Sequence, residues 1–172
     1  MNFKNNTWQE NQLHFLKNYY QKAKYFNEIF PLIENIFFSY SKENLIDFLE
    51  LTMKLCFTLF DIHVEFVRSS RINGSGSFKG EITVDICRKL SATQYLSGQG
   101  AIAYIAGELE KQFSLSGIEV LWHQFNHPIY EQERGKPFIS GLSCLDILFF
   151  EGITKSRELF WNNVRENPPF SK

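Results

Sequence analysis

Three strand-like segments separated by helical stretches constrain the fold of this chain more than any other feature. Residues 62–67 alternate with period two and are rich in β-branched side chains, and two further short strands are predicted at 93–97 and 118–125. Between them, apolar residues recur at helical spacing over 82–90 and 102–113. Strands joined through helices form parallel crossovers. The sequence therefore predicts an α/β fold whose βαβαβ units form a small, mainly parallel sheet covered by helices.

The chain before the first predicted strand has helical periodicity. The pattern is weak up to Tyr20 and clearer after it, with Pro31 placed to kink or split the second helix. A third helix is predicted from Ser41 as N-cap, with Glu43 in its first turn. The expected organisation is one domain made of a helical segment over 1–60, an α/β core over 61–166 and a frayed tail over 167–172.

Two helices are predicted near the end of the chain. Ser143 and Asp146 have the spacing of a capping box ahead of an apolar run, so a helix is expected to start there, and a last helix is expected over 155–164. The capping role accounts for Asp146 more readily than a catalytic role does. The loop over 68–77 is basic at Arg68 and Arg71 and fits an anion site and a solvated connection equally well.

Charge and composition exclude several classes of protein. Lys and Arg number 18 against 19 Asp and Glu, so no basic excess favours binding to nucleic acid or to an anionic membrane. The longest unbroken apolar run, over 101–106, is far shorter than the roughly 20 residues that span a bilayer. The start of the chain lacks the apolar core of a secretory signal. We therefore expect a cytoplasmic protein without a membrane span.

Cysteine usage and motif content favour neither a disulfide framework nor a metal site. Cys56, Cys87 and Cys144 match no disulfide or zinc spacing, and all three are interpreted as reduced thiols. No His-Glu-x-x-His or calcium-loop motif is present. The sequence therefore predicts no metal and no cofactor.

A glycine turn follows the second predicted strand. Ser97, Gly98 and Gly100 stand where a strand ends and a helix begins, a position at which backbone amides attract phosphate or carboxylate. The alternative is that the glycines only make a tight turn from strand to helix, which needs positive φ or close backbone approach. A nicotinamide-binding fingerprint is rejected, because Glu119 falls at the start of the next strand whereas the ribose contact needs an acid near its end.

The loop after the third predicted strand carries the candidate titrating group. His127 lies there beside Tyr130 and Gln132, at a strand's carboxyl end where catalytic groups are often found. A loop histidine bonded to backbone is the alternative interpretation. A nucleophilic Cys144 with His127 as its base is a further alternative, set against the commoner case of a small buried thiol.

Three strings together resemble the WbqC-like family of bacterial surface-polysaccharide loci. They run over 95–100 followed by Tyr104, over 125–132 and over 138–149, and their order and spacing match the family's S-G-x-G, H-P-x-Y-x-Q and L-S-x-x-D-L-L-F signature. The resemblance covers roughly residues 19–152. The Asn usual after L-L-F is Phe150 here, and the family's Gln-Pro-x-x-Phe-Pro-like start has no counterpart.

The resemblance implies a transferase that moves glycine or a similar aminoacyl group onto a nucleotide-linked amino sugar in O-antigen biosynthesis. His127 would then take the proton of the attacking amine and Tyr130 and Gln132 would orient the sugar. The residues expected to contact substrate are Ser97, Gly98, Gly100, Trp122 and Asp146, with the glycine amides on the diphosphate and the indole stacked on a ring. The alternative is a non-catalytic or truncated module that binds a nucleotide sugar or a pathway partner. Such a partner would supply the missing N-terminal half or would be a second copy of this chain.

Overall fold

The computed structural model describes residues 7–40, 44–72, 79–133 and 135–171. Helices dominate, and two short strands follow the fifth helix. The elements in chain order are α1 (Trp8–Tyr20), α2 (Phe26–Ser39), α3 (Leu45–Leu59), α4 (Ser69–Ile72), α5 (Lys79–Lys89), β1 (Gln94–Gly98), a 3-10 turn (Gln99–Ala101), α6 (Ile102–Ile105), α7 (Glu108–Leu115), β2 (Glu119–His123) and α8 (Cys144–Glu166).

The predicted fold class is confirmed, with two paired strands in the described residues instead of three. β1 and β2 run parallel, in a register from Gln94 opposite Glu119 to Gly98 opposite His123. The strand predicted over 62–67 is wrong, because this stretch belongs to no helix and no strand. Val64 and Val67 remain 56% and 45% exposed, so the alternation there does not create a buried face. Strand propensity reflects packing on a pleated surface, and the sheet in the described part of the chain consists of β1 and β2 only.

The chain divides into two compact units, each with its own core. The first unit contains His127–Asn162 together with the described residues up to His63. Its core is rich in aromatic residues, with Phe149 fully buried and stacked on Tyr20 at a centroid distance of 4.4 Å. Aromatic pairs of this kind add about 0.5–1.5 kcal/mol to the burial of their area.

The second unit contains Val64–Asn126 and the described residues from Asn163 onward. Its core joins the sheet to α5, α6 and α7 through Val84, Ile105, Phe113 and Trp122, all of which are almost completely buried. The single-domain organisation expected from the sequence stays a prediction.

Three positions show how glycine, proline and cap residues shape the helices. Pro31 lies inside α2 without splitting it. Gly107, at φ +99°, divides the helix predicted over 102–113 into α6 and α7. Asn44 caps α3 through a hydrogen bond from the Ile46 N–H at 2.9 Å, while the predicted cap, Ser41 with Glu43, lies outside the described residues.

The end of the chain is paired in part, where the sequence predicts fraying. The Trp122 N–H donates to the Phe170 carbonyl at 2.8 Å, and the Phe170 N–H donates back at 3.0 Å, as an antiparallel bridge. The adjacent prolines stop α8 as expected, but they also favour the extended backbone that such pairing needs. Throughout the described part of the chain, no helix has the length and apolar character needed to cross a bilayer.

Candidate functional site

A buried carboxylate with several donors is the most developed polar cluster of the first unit. Asp146, in the first turn of α8, is only 3% exposed. Its Oδ2 accepts from the Tyr130 hydroxyl at 2.8 Å and from Gln132 Nε2 at 3.0 Å. Ionised groups away from water require such donors, because a bare buried carboxylate is strongly disfavoured. We call Asp146, Tyr130, Gln132 and Tyr20 the carboxylate cluster.

Tyr20 joins the carboxylate cluster from the end of α1. Burial, the Asp146 charge and a hydrogen bond to Asp146 raise the pKa of Tyr20 well above its ordinary value. Burial, followed by the hydrogen bond to Asp146, raises the pKa of Tyr130 in the same direction. Both phenols therefore keep their protons at neutral pH and act as donors to the carboxylate.

Gln132 also fastens the loop that precedes α8. Its Oε1 accepts from the Ile139 N–H at 2.7 Å, and its Nε2 donates to the Ile139 carbonyl at 2.8 Å. One amide side chain thus ties two backbone groups and Asp146 together. Tyr130 and Gln132 were predicted to orient a sugar, whereas these contacts have them orient Asp146 and the loop.

The capping box predicted at the start of α8 is formed only in its serine half. The Leu145 N–H donates to Ser143 Oγ at 3.3 Å. The Asp146 side chain instead serves the carboxylate cluster, whose members Tyr130 and Tyr20 come from distant parts of the sequence. The preference for capping as the explanation of Asp146 was therefore wrong, because the tertiary structure supplies stronger partners than the local backbone does.

His127 lies near the start of the segment that connects β2 to α8. It is half-buried and belongs to the first unit, three residues before Tyr130. The structure thus keeps His127, Tyr130, Gln132 and Asp146 in one unit.

The remaining predicted contacts, Ser97, Gly98, Gly100 and Trp122, lie in the second unit. The carboxyl end of its sheet carries two exposed glycines. Gly98 has φ −72° and ψ 153°, and a Cβ built at Gly98 or Gly100 meets nothing within 4 Å. The two glycines do lie at the turn from strand to helix, but neither positive φ nor a close backbone approach requires glycine there. Ser97 is buried, at 7% exposure.

A row of amide side chains crosses the same end of the sheet. Gln99 Nε2 donates to Gln124 Oε1 at 3.1 Å, and Gln124 Nε2 donates to Asn126 Oδ1 at 3.4 Å. Asn126 Nδ2 continues the row to Asn167 Oδ1. We call Gly98, Gly100, Gln99, Gln124 and Asn126 the glycine–amide edge. Sequence reasoning did not single out its amides, although Gln99 and Asn126 lie within two of the strings that resemble the family, because nothing in the sequence pairs one amide with another.

The helix dipole expected at the glycine turn is weaker than predicted. The turn leads into Gln99–Ala101 and the single turn of α6, and Gly107 then breaks the chain before α7. The dipole of one turn sums few peptide units. Individual amides and side-chain amides, and not a helix N-terminus, are what this edge offers to a ligand.

Trp122 is a core residue, which contradicts the predicted stacking on a sugar ring. Its side chain is 1% exposed and packs among the apolar residues of the second unit. Its backbone is engaged by Phe170. Successive side chains of a strand point to opposite faces of the sheet. In β2, Val120 and Trp122 lie on the same face, and that face is buried.

A separate cavity of about 610 Å³ lies in the second unit. Tyr95 and Tyr104 line it together with Thr83, Ile105, Leu109 and Phe113. Its walls are mainly apolar, and none of the predicted site residues lines it. Within the ranges that the structure describes, no group of three or more His, Cys, Asp or Glu residues is placed to hold a metal ion.

The fold and these clusters define a class: helix-rich α/β chains with a two-stranded parallel sheet and a buried, donor-rich carboxylate. The chain belongs to the WbqC-like protein family, whose family model matches residues 1–158. The match extends beyond the stretch over 19–152 that the motifs indicated. No curated protein and no solved structure matches the chain.

Proposed function

We propose that this protein is an acyl- or aminoacyltransferase acting on a nucleotide-linked amino sugar in surface-polysaccharide biosynthesis. The observation that carries the proposal is the carboxylate cluster, three of whose members, Tyr130, Gln132 and Asp146, lie within two of the three strings that carry the family signature. Burial of a carboxylate at 3% exposure costs hydration free energy, and phenol and amide donors offset that cost here. Buried titratable groups with specific partners are typical of functional sites.

His127 is the proposed general base. In the transfer step, the amine nitrogen of the sugar attacks the acyl carbon and its proton passes to His127. The bond between the acyl carbon and the donor's heteroatom then breaks, and the leaving group takes up a proton. Asp146, Tyr130 and Gln132 are positioning residues in this scheme, because their hydrogen bonds fix the loop that follows His127.

The glycine–amide edge is the proposed contact for the polar groups of the nucleotide sugar. Gly98 and Gly100 are exposed and have no side chain, so a ligand can approach their backbone closely. The fold itself does not require glycine at either position. Neighbouring amides offer both donors and acceptors, which suit hydroxyl and carbonyl groups. Ligands of parallel sheets bind beyond the carboxyl ends of the strands, where this edge lies.

Binding is tested by thermal unfolding of the full chain with a panel of nucleotide-linked amino sugars. We expect one sugar to stabilise the protein by about 2.7 kcal/mol at a hundred times its dissociation constant. Gly98→Val and Gln99→Ala should lose that stabilisation while unfolding normally without ligand. Gln94→Ala is the matched control, since Gln94 is an exposed amide at the opposite end of β1. Equal loss in the control would remove the edge from the proposal.

Transfer is tested with the sugar that binds and with activated aminoacyl donors. His127→Ala is expected to lower kcat by about 10²–10⁴-fold while the ligand-induced thermal shift is kept. Full activity in this variant contradicts the role of His127. Binding of the sugar with no transfer from any donor supports the alternative, a module that binds a nucleotide sugar without catalysis.

A further inference from the structure

Two of the three cysteines lie side by side in the first unit. Cys144 is the first residue of α8 and Cys56 belongs to α3, 88 positions earlier, and their sulfur atoms are 3.7 Å apart. Cys144 is exposed and Cys56 is half-buried. The sequence interpretation of Cys144 as a small buried thiol is thus wrong, and its partner is a second thiol.

We propose that Cys56 and Cys144 form a peroxide-sensitive dithiol that oxidises reversibly to a disulfide. A disulfide has sulfur atoms about 2 Å apart, so closure from the observed separation of 3.7 Å needs a movement of under about 2 Å. Cys144 is the more exposed residue of the pair and is therefore the one that a peroxide reaches first, and Cys56 is the resolving thiol. This inference is independent of the proposed transferase activity.

The surroundings make Cys144 the attacking member of the pair. A hydrogen bond from the Cys56 thiol, followed by one from Ser143, lowers the pKa of Cys144 to about 7. The same interaction, together with burial, raises the pKa of the Cys56 thiol. Sensor cysteines combine thiolate character, exposure and a nearby resolving thiol, and this pair has all three.

The chemistry balances with a hydroperoxide as the oxidant. The Cys144 thiolate attacks the peroxide oxygen, so that an S–O bond forms, the O–O bond breaks, and the alkoxide or hydroxide released takes a proton from water. Cys56 then attacks the sulfur of the sulfenic acid, an S–S bond forms, and the hydroxyl leaves with the Cys56 proton as water. Two thiols have been oxidised and one peroxide reduced, and a thiol reductant reverses the change.

Cys87 provides an internal control within the same chain. It lies in the second unit, is buried at 8% exposure, and burial raises its pKa. At pH 7 we expect iodoacetamide to alkylate Cys144 at least about tenfold faster than Cys87 in the folded protein, because the thiolate is the reactive form.

The test is treatment of the full chain with hydrogen peroxide, followed by peptide mass spectrometry without reduction. The expected product is a Cys56–Cys144 disulfide with Cys87 unmodified, and Cys87→Ser should give the same product. In Cys56→Ser, dimedone should trap a sulfenic acid at Cys144. The proposal is overturned if Cys87 reacts first, if Cys144 pairs only between molecules, or if Cys144 in the folded wild-type chain passes to sulfinic acid without a disulfide.

Discussion

At the scale of single residues, the environment of a side chain decides its role more than its type does. Asp146 has the spacing of a helix cap, but it is buried and shared by Tyr130 and Gln132. Hydrogen bonds to a charged group are each worth about 1.5–3 kcal/mol, more than a typical cap contributes. The Asp146 carboxylate therefore bonds to Tyr130 and Gln132 and does not cap the helix.

Cys144 leads to a prediction about pH. Its thiolate is stabilised, so the alkylation rate should be half-maximal near pH 7, and below that pH the rate should fall about tenfold per unit as the sulfur becomes protonated. In Cys56→Ala, which removes the chief hydrogen-bond donor, the midpoint should move up toward about 8.5, the value of an ordinary cysteine. Iodoacetamide kinetics between pH 5 and 10, followed by mass spectrometry, measure both midpoints. An unchanged midpoint in Cys56→Ala contradicts the assignment of Cys56 as the donor.

At the scale of elements, α8 shows how one backbone position shapes a helix. Gly152, at φ 73° and ψ 174°, interrupts the helical geometry between the two helices predicted for this region. A Cβ there would lie 2.8 Å from Cδ1 and Cε1 of the Tyr25 ring. Tyr25 itself is held by its N–H, which donates to the Phe149 carbonyl at 2.9 Å. Gly152 is thus required twice, by its conformation and by the ring beside it.

Gly152→Ala and Gly107→Ala separate these two requirements. Both glycines have conformations that only glycine adopts readily, but a Cβ at Gly107 meets nothing within 4 Å. Gly107→Ala should cost about 1–3 kcal/mol of unfolding free energy through strain alone. Gly152→Ala should cost about 1–3 kcal/mol more, because the methyl group overpacks against Tyr25.

Urea unfolding followed by circular dichroism measures both free energies of unfolding. Equal costs in the two variants would show that the Tyr25 ring moves aside freely. A Tyr25→Leu background is the further check, because a smaller side chain there should reduce the cost at Gly152 and leave Gly107 unaffected.

At the scale of the whole molecule, residues distant in sequence supply hydrogen bonds that a helix cannot make within itself. The last carbonyls of α3 have no partners within their helix, as at any helix end. Arg157 of α8 donates to two of them, Leu59 through Nε at 2.6 Å and Thr58 through Nη2 at 3.0 Å. Trp161 donates to the Phe60 carbonyl at 2.9 Å. One helix thus caps another across about 100 positions of sequence.

Removing this cap gives a prediction with a control on the same helix. Arg157→Met keeps most of the aliphatic stem and removes the donors, so we expect a loss of about 1.5–3 kcal/mol in unfolding free energy. Lys155→Met removes a charge whose contact is an exposed pair with Glu158, and it should change the free energy by at most about 0.5 kcal/mol. Thermal and urea unfolding of both variants decide the matter, and equal effects would exclude a specific cap by Arg157.

The sequence by itself determined most of the helical segments, both strands of the sheet and the family, but the predicted loop over 68–77 is wrong at Ser69–Ile72, which form α4. These rest on local periodicity, on short-range steric preferences and on contiguous motifs, all of which are readable along the chain. It also placed Asp146, Tyr130 and Gln132 among the residues of interest. It could not give the pairing of Asp146, since Tyr20 lies far away in sequence.

Only the tertiary structure decided which segments pair through backbone hydrogen bonds and which side chains meet. Residues 62–67 have the composition of a strand and belong to no strand of the described structure, whereas Phe170, in the predicted frayed tail, pairs with Trp122. Cys56 and Cys144 match no spacing rule, yet their sulfurs meet. The physical reason is common to all three: a hydrogen bond or contact between distant residues depends on how the cores pack, and no local pattern in the sequence records it.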